Sequence, residues 1–443
     1  MVNTLSAGFG RADISPDVGV ELSGFGWYIG RASTGVLEPL YANAIVWEAG
    51  AERGAIVSCD LIGIGRELSQ RTREIIAQSC GIPYDHILVC CTHTHSGPAT
   101  MELIGWGEAD EAYLRTLPER IAESARIAAG SMAATELAYG EVAVEGISYN
   151  RETHTKDRPG GETDRTLKAV KLLQNGRMAG FIVHYSCHPV VMCERTSLIS
   201  GDFVGMAINA LSARTGATGL FLQGALGDQN PVFCHDDQEK SLQNIRVLSD
   251  RFTTYIEAAL AAAQPTRLDV IAVQREDIRL QLAVPDRSLI VRHLQMIGYM
   301  QKYDDSLPEP VRRRLHFEKN VLERVEELFA QGAKDELETE IQAIRFGNLL
   351  FVTHPSEIFY AFHREIEARL RPFRTFIVGM ANDAIGYVPT ADKYELNDGA
   401  YSYPAWFVPF MIGQFPFRSD VGKRLTENLV RLGTALQDRE PAV

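Results

Sequence analysis

Apolar and polar positions fall into blocks, with short apolar runs that read as buried strands separated by stretches of helical spacing. Residues 54–60 (GAIVSCD) read as a buried strand, and residues 66–79 follow with a helical pattern that Gly81 stops. Residues 86–92 read as another strand, and residues 112–129 as a helix ending at Gly130. Apolar runs at 167–173 and 178–187 flank Asn175-Gly176, a strong hairpin signal. Short buried strands are expected at 219–222, 348–353 and 374–378. From Cys234 to Arg345 the pattern is more polar and mostly helical, with one strand-like segment at 269–282 and an exposed loop at 303–309. Strands alternating with helices give the α/β class, with mixed β-sheets covered by helices. No internal repeat, low-complexity tract or convincing linker divides the chain, so residues 1–443 are expected to form a single domain.

Composition narrows the class. The 45% apolar fraction suits a globular core, and 44 basic against 57 acidic residues leave a formal charge of −13. That balance argues against nucleic acid or an anionic membrane as the main partner. No window approaches the ~18–20 apolar residues that span a bilayer, so no integral membrane association is expected. The opening MVNTLSAGFGRADISP lacks the charged and apolar regions of a secretory signal, which predicts a cytoplasmic protein. Seven cysteines, with Cys90 and Cys91 adjacent and no CxxC pair, point to reduced thiols rather than a disulfide framework.

Chemistry-bearing residues gather just after the expected strands: His93 and His95, His188, Asp228, Glu357 and Tyr387. Ligands of α/β sheets bind beyond the carboxyl ends of strands, so these groups are expected to converge. Thr92-His93-Thr94-His95-Ser96-Gly97-Pro98 is the sharpest local signal. Histidines at i and i+2 of a strand share a face and reach one cation, unless they are only a polar pair before a Gly-Pro turn. His184 and His188 also share a strand face, and one of them is as readily a core group; His188 is the better placed, since Pro189 ends the strand there. Glu357 has a plain structural reading, in which Ser356 caps a helix running to about Leu370 and the acid suits its dipole. Tyr387 alone reads as a packed aromatic. The loop 223–231 (QGALGDQNP) lacks the Lys and Ser/Thr of a phosphate loop, and no GxSxG elbow occurs. Residues 401–417 hold seven aromatics in 17 positions, read as core or subunit contact, or else as a wall over a pocket.

At these residues the chain resembles the catalytic domain of the neutral, non-lysosomal ceramidase family. The likeness starts at Gly8-Phe9-Gly10-Arg11-Ala12-Asp13-Ile14 and runs through Val57-Ser58-Cys59-Asp60 and the THTHSGP motif. It continues at Tyr149-Asn150-Arg151, Cys187-His188-Pro189, Ser200-Gly201-Asp202, Pro355-Ser356-Glu357 and Gly386-Tyr387-Val388, whereas the middle, about 234–345, does not align. The resemblance implies a single ceramidase-like catalytic domain with one Zn2+ per chain, held by His93, His188, Glu357 and Tyr387. It makes His95 and Arg151 groups that face the substrate, His95 moving a proton to the leaving amine and Arg151 stabilising the oxyanion. Zinc in such a site acidifies its water and polarises a carbonyl, as amide hydrolysis requires.

Three departures shape the expected activity. Where the family has a catalytic serine, this chain has Asn230, which cannot act as that nucleophile although its amide can donate to an oxyanion. The family's immunoglobulin-like C-terminal domain and an export signal have no counterpart in this sequence. These differences point to a zinc-dependent hydrolase that uses water on a compact amide instead of long-chain ceramide. An ester or lactone hydrolase with the same site, and a metal-bearing scaffold without catalysis, are the alternatives. The expected partner is a small-molecule amide or ester, and the aromatic stretch is consistent with a homodimer.

Overall fold

Strands that are apolar on both faces need cover on both sides, and here three sheets pack against one another with helices outside. The computed structural model describes residues 5–26, 30–332, 334–395, 402–437 and 439; residues 1–4 of the opening and Tyr401 of the aromatic stretch lie outside them. In the first sheet Ser6–Asp13, Tyr41–Ala49 and Glu52–Cys59 pair antiparallel in succession. Ile87–Cys91 then joins parallel to Glu52–Cys59, after the helix Arg66–Cys80. The second sheet repeats the plan with Glu136–Ala143, Thr166–Gln174 and Arg177–Tyr185, followed by the helix Asp202–Thr215 and the parallel strand Thr218–Gln223. The third does so with Ile271–Gln281, Glu336–Phe346 and Leu349–Thr353, then the helix Tyr360–Arg369 and the parallel strand Arg374–Val378. The chain is thus a mixed α/β protein in which one four-strand module occurs three times. This corrects the reading of a chain without an internal repeat: the repeat lives in topology, and no residue pattern carries it.

The inner faces of the three sheets meet in one apolar core, where Ile45, Trp47, Ile56, Leu220, Ile344, Phe351 and Phe376 are all buried. Trp47 packs edge-on against Phe346 at 5.1 Å, and Phe351 stacks on Phe376 at 4.4 Å. The alternate positions Ala42, Ala44 and Val46 turn outward beneath the helices Arg66–Cys80 and Glu111–Ala129, as the two-residue period of a strand dictates. The helices Asp202–Thr215 and Gln238–Ala262 cover the second sheet, Tyr360–Arg369 and Val421–Gln437 cover the third, and Glu309–Gln331 joins the same apolar cluster as the third sheet.

Local signals hold where they are strongest. Gly81 ends its helix, its N–H bonding back to Ala77 O. Asn175 and Gly176 take φ of 52° and 73°, the pair of left-handed conformations that a tight hairpin turn needs and that glycine adopts without cost. Two segments differ from expectation. The polar middle contains a second long strand, Glu336–Phe346, in which Leu337, Thr339, Ile341 and Ala343 alternate with Glu336, Glu338, Glu340 and Gln342. The expected loop at 303–309 is instead the end of a 3-10 turn, Gln301–Ser306, leading into the helix Glu309–Gln331. All seven cysteines are buried and unpaired, and no helix among the described residues is long and apolar enough to cross a membrane.

Candidate active site

In each module the third and fourth strands run parallel, so their carboxyl ends lie at one end of the molecule, and the candidate residues sit in the loops that leave those ends. His93 and His95 follow Ile87–Cys91, His188 follows Arg177–Tyr185, and Asn230 follows Thr218–Gln223. Glu357 follows Leu349–Thr353, and Tyr387 follows Arg374–Val378. The strand ends at Cys91, so the two histidines do not share a strand face as expected. His93 takes a φ of 69°, an uncommon state for a side chain with a Cβ, and its N–H donates to Leu61 O. The turn still brings His93 Nε2 and His95 Nε2 to 3.3 Å.

Backbone carbonyls orient two of the rings. His93 Nδ1–H donates to Ile62 O at 2.6 Å and His188 Nδ1–H to Gln229 O at 3.2 Å, which leaves both Nε2 lone pairs facing the centre. Glu357 Oε2 lies 3.4 Å from His93 Nε2 and 3.2 Å from His188 Nε2, and Tyr387 Oη is 3.2 Å from the same His188 nitrogen. His93, His95 and His188 offer ring nitrogens all within 4.8 Å of one another. Ligand atoms around a tetrahedral zinc stand roughly 3.3–3.5 Å apart, given bonds of about 2.0–2.2 Å, so this buried set of imidazoles and oxygens fits such an ion. Burial, with His93 and His188 alongside, holds the His95 imidazole well below its ordinary pKa. Burial and the Arg151 charge bring His188 down to about 4. Burial pushes the Glu357 carboxyl up, but His93 and His188 outweigh it and hold it well below the usual carboxylate range. Burial raises the Tyr387 phenol, Arg151 opposing and Glu357 adding.

Arg151 spans the opposite wall. Its Nη2 donates to Tyr387 Oη and to Gly227 O, each at 2.8 Å, and its Nη1 points to Asn230 Oδ1 at 3.4 Å. Burial works against its charge, and Tyr387, Glu152 and Glu357 keep it protonated. Asp228 is occupied as scaffold, accepting from Asn150 Nδ2 at 2.7 Å, Gln229 Nε2 at 2.9 Å and Tyr360 N at 2.9 Å. It thereby caps a helix of a different module and ties the Arg151 loop to the Glu357 loop. Gly227 lies so close that a Cβ there would stand 2.5 Å from Glu357 O.

One expectation is corrected, and one open choice is decided. Glu357 does not open a helix under a Ser356 cap: Ser356 Oγ bonds His354 Nδ1, Glu357–Ile358 pairs with Tyr387–Val388 as a short parallel ladder, and the helix begins at Tyr360. The backbone at Glu357 is taken by strand pairing, which no helical pattern reveals. His184 is a core residue that donates from Nε2 to Ile377 O at 2.9 Å beside Phe376.

From the cluster, His95, His188 and Tyr387 line a cavity of about 400 Å3, while His93 and Glu357 contact His188 without lining it. Its walls come from the connection between first and second strands in every module: Phe25 from the first, Arg151 from the second, Arg314 and Phe317 from the third. Trp106, Tyr403 and Phe407 complete an aromatic lining, and Glu194, His235 and Glu318 add polar groups. The aromatic stretch therefore divides, Tyr403 and Phe407 lining the pocket while Phe410, Phe415 and Phe417 are core. Sequence reasoning missed Phe25, Trp106 and Phe317, because single aromatics in amphipathic segments look like ordinary core.

The family profile described as neutral/alkaline non-lysosomal ceramidase, N-terminal, matches residues 5–242. Among solved structures, the neutral ceramidase from Pseudomonas aeruginosa superposes with a TM-score of 0.74 at 19% identity, covering 100% of this chain and 76% of that one. A structure described as ceramidase complexed with C2 gives 0.75 at 19% identity with the same coverages. At this identity the likeness to solved structures speaks for the fold.

Proposed function

The chain belongs to the neutral/alkaline non-lysosomal ceramidase family, hydrolases that act on amide bonds, and we propose that it is a zinc-dependent hydrolase cleaving the C–N bond of a compact amide with one apolar arm. The observation that carries this reading is the placement of Glu357 Oε2 within 3.4 Å of both His93 Nε2 and His188 Nε2, with His188 and Tyr387 lining a largely aromatic cavity. His93, His188, Glu357 and Tyr387 would hold the metal. When bound, zinc supplies Lewis acidity, lowering the pKa of water and polarising the scissile carbonyl.

The chain's own groups do the rest. Arg151 presents a fixed, always charged fork beside the carbonyl, and Asn230 stands next to it as a second polar contact. His95, neutral because it is buried, takes the proton that water loses as it attacks the carbonyl carbon. It then hands that proton to the departing amine nitrogen as the C–N bond breaks. Trp106, Phe317 and Phe407 bind the apolar arm and exclude bulk water. A cavity of about 400 Å3 sits near the low end of the roughly 300–1,000 Å3 of small-molecule sites, which favours one arm over two long chains.

The test pairs plasma mass spectrometry of the purified protein and a His188→Ala variant with turnover of N-acyl amides of increasing chain length. About one zinc per chain, lost in the variant, with a rate that peaks at short or medium chains, is the expected result. Absence of a tightly bound metal from both proteins, or turnover that survives chelation, overturns the reading.

A further inference from the structure

His95 is held differently from its two neighbours. The Nδ1 atoms of His93 and His188 donate to backbone carbonyls, whereas His95 Nδ1 is buried with no hydrogen-bond partner among the described residues. No hydrogen bond at Nδ1 therefore turns this ring toward the centre, and contact does so instead. Phe25 meets the His95 ring edge-on at 5.1 Å, Trp106 lies 5.4 Å away, and Gly24 closes the Nδ1 side. A Cβ at Gly24 would stand 2.4 Å from His95 Nδ1, and the φ of 91° there is a state that favours glycine.

Such walls locate a ring only as well as its backbone is located. His95 N–H donates to Pro189 O at a long 3.4 Å, and the His95 carbonyl is held by the Arg31 side chain. Arg31 Nη2 donates to both His95 O and Ser23 O, the latter at 2.8 Å. The segment 22–24 is itself fixed, Leu22 N–H donating to Arg31 O and Ser23 N–H to Gly97 O, each at 2.9 Å. The guanidinium carbon stands 5.0 Å from the Phe25 ring, so one residue braces both the backbone of His95 and the aromatic that abuts its ring.

The charge is unfavourable where it lies. Arg31 is 8% exposed, and its Nε and Nη1 find no partner among the described residues. Burial pulls its pKa down to about 10, with Cys193 and Glu194 opposing. A buried cation without full compensation is a poor stabilising device, since apolar residues of similar volume often fill such positions at no loss. What Arg31 supplies here is a rigid, charged donor on two carbonyls, one of them belonging to His95.

We propose that Arg31 is a positioning residue for the reaction: by clamping the His95 carbonyl and the segment 22–24, it sets the imidazole against Gly24 and Phe25 with Nε2 facing the metal cluster. The inference rests on the role of His95 in proton transfer given above.

The test compares the parent with Arg31→Met, Arg31→Gln and Arg31→Lys by steady-state kinetics on the amide turned over fastest, by metal analysis and by thermal unfolding. Arg31→Met should keep its metal and melt no lower than the parent. Its kcat should fall about 10–10²-fold with KM little changed, the scale of a catalytic group displaced by about 1 Å. Arg31→Lys keeps a cation and should recover part of that loss. Metal content or melting temperature falling together with kcat makes the role structural and overturns the inference, as does a change in KM alone or full activity in all three variants. Arg31→Gln carries the same readings should Arg31→Met not fold. A parent that turns over no amide counts against the proposed function and not against this brace, which crystal structures of the parent and of Arg31→Met then decide. Displacement of His95 Nε2 by about 1 Å or more from its place 3.3 Å from His93 Nε2 supports the brace, and an unmoved ring overturns it.

Discussion

Glu357 and Tyr387 are register partners in a two-residue parallel ladder, so the carboxylate and the phenol are held side by side by main-chain pairing. Each follows a different strand of the third module, and the ladder makes them one unit facing the two histidines. Glu357→Gln keeps the shape and removes the charge. Metal content measured after dialysis should fall well below that of the parent, and kcat should drop by about 10² or more. A variant that retains full metal and activity would remove Glu357 from the site.

Arg151 reaches Tyr387 Oη and Gly227 O from Nη2 and Asn230 Oδ1 from Nη1, a planar spread over two nitrogens that a compact ammonium lacks. Arg151→Lys should lower kcat about 10²-fold with KM changed far less, since the lost interaction is made mainly in the transition state. Steady-state kinetics on one amide decide it; an equal loss in KM alone would make Arg151 a substrate-binding group only.

Asn230 occupies the position where the family's serine is expected, and its amide carbonyl faces Arg151. Pre-steady-state kinetics should therefore show no acyl-enzyme burst in the parent protein. Asn230→Ala should keep its metal and lose about tenfold in kcat, the scale of one modest polar contact. A stoichiometric burst in the parent would require a nucleophile that this account does not contain.

Gly227 leaves no room for a side chain against Glu357 O. Gly227→Ala should destabilise the fold by about 1–3 kcal/mol through overpacking and weaken metal binding as the Glu357 loop shifts. Thermal unfolding and metal titration of the same sample check both halves.

Glu38 gives stability a pH dependence away from the site. Burial raises its carboxyl to about 8, with Asp60 and Asp202 adding and Asn209 and Ser200 opposing through hydrogen bonds. The folded value lies above the ordinary 4.5, so the neutral acid favours the native state. Its contribution is complete below about pH 4.5 and is lost as pH rises toward 8. Burial raises Asp60 and Asp202 to about 6, and they act in the same direction. Melting curves from pH 5 to pH 8 should show a shallower decline for Glu38→Gln than for the parent. Parallel curves would place the pH dependence elsewhere.

The sequence by itself determined what depends on neighbours along the chain. Buried strands follow from unbroken apolar runs, the hairpin from Asn175-Gly176, and the end of the first helix from Gly81. The order of chemical groups after strand ends was legible too, because open α/β sheets place ligand groups there. Tertiary structure decided the rest, for a physical reason in each case. Pro189 already favoured His188 over His184, but only the fold shows that the strand stops as early as Tyr185 and leaves His184 in the core. Glu357 is a strand residue because Tyr387 pairs with it, a contact across 30 positions that no helical or strand period encodes. The threefold module and the pocket wall drawn from all three copies arise from packing three sheets face to face. That packing needs apolar volume at the interface and not any repeated residue, so the repeat left no trace in the sequence.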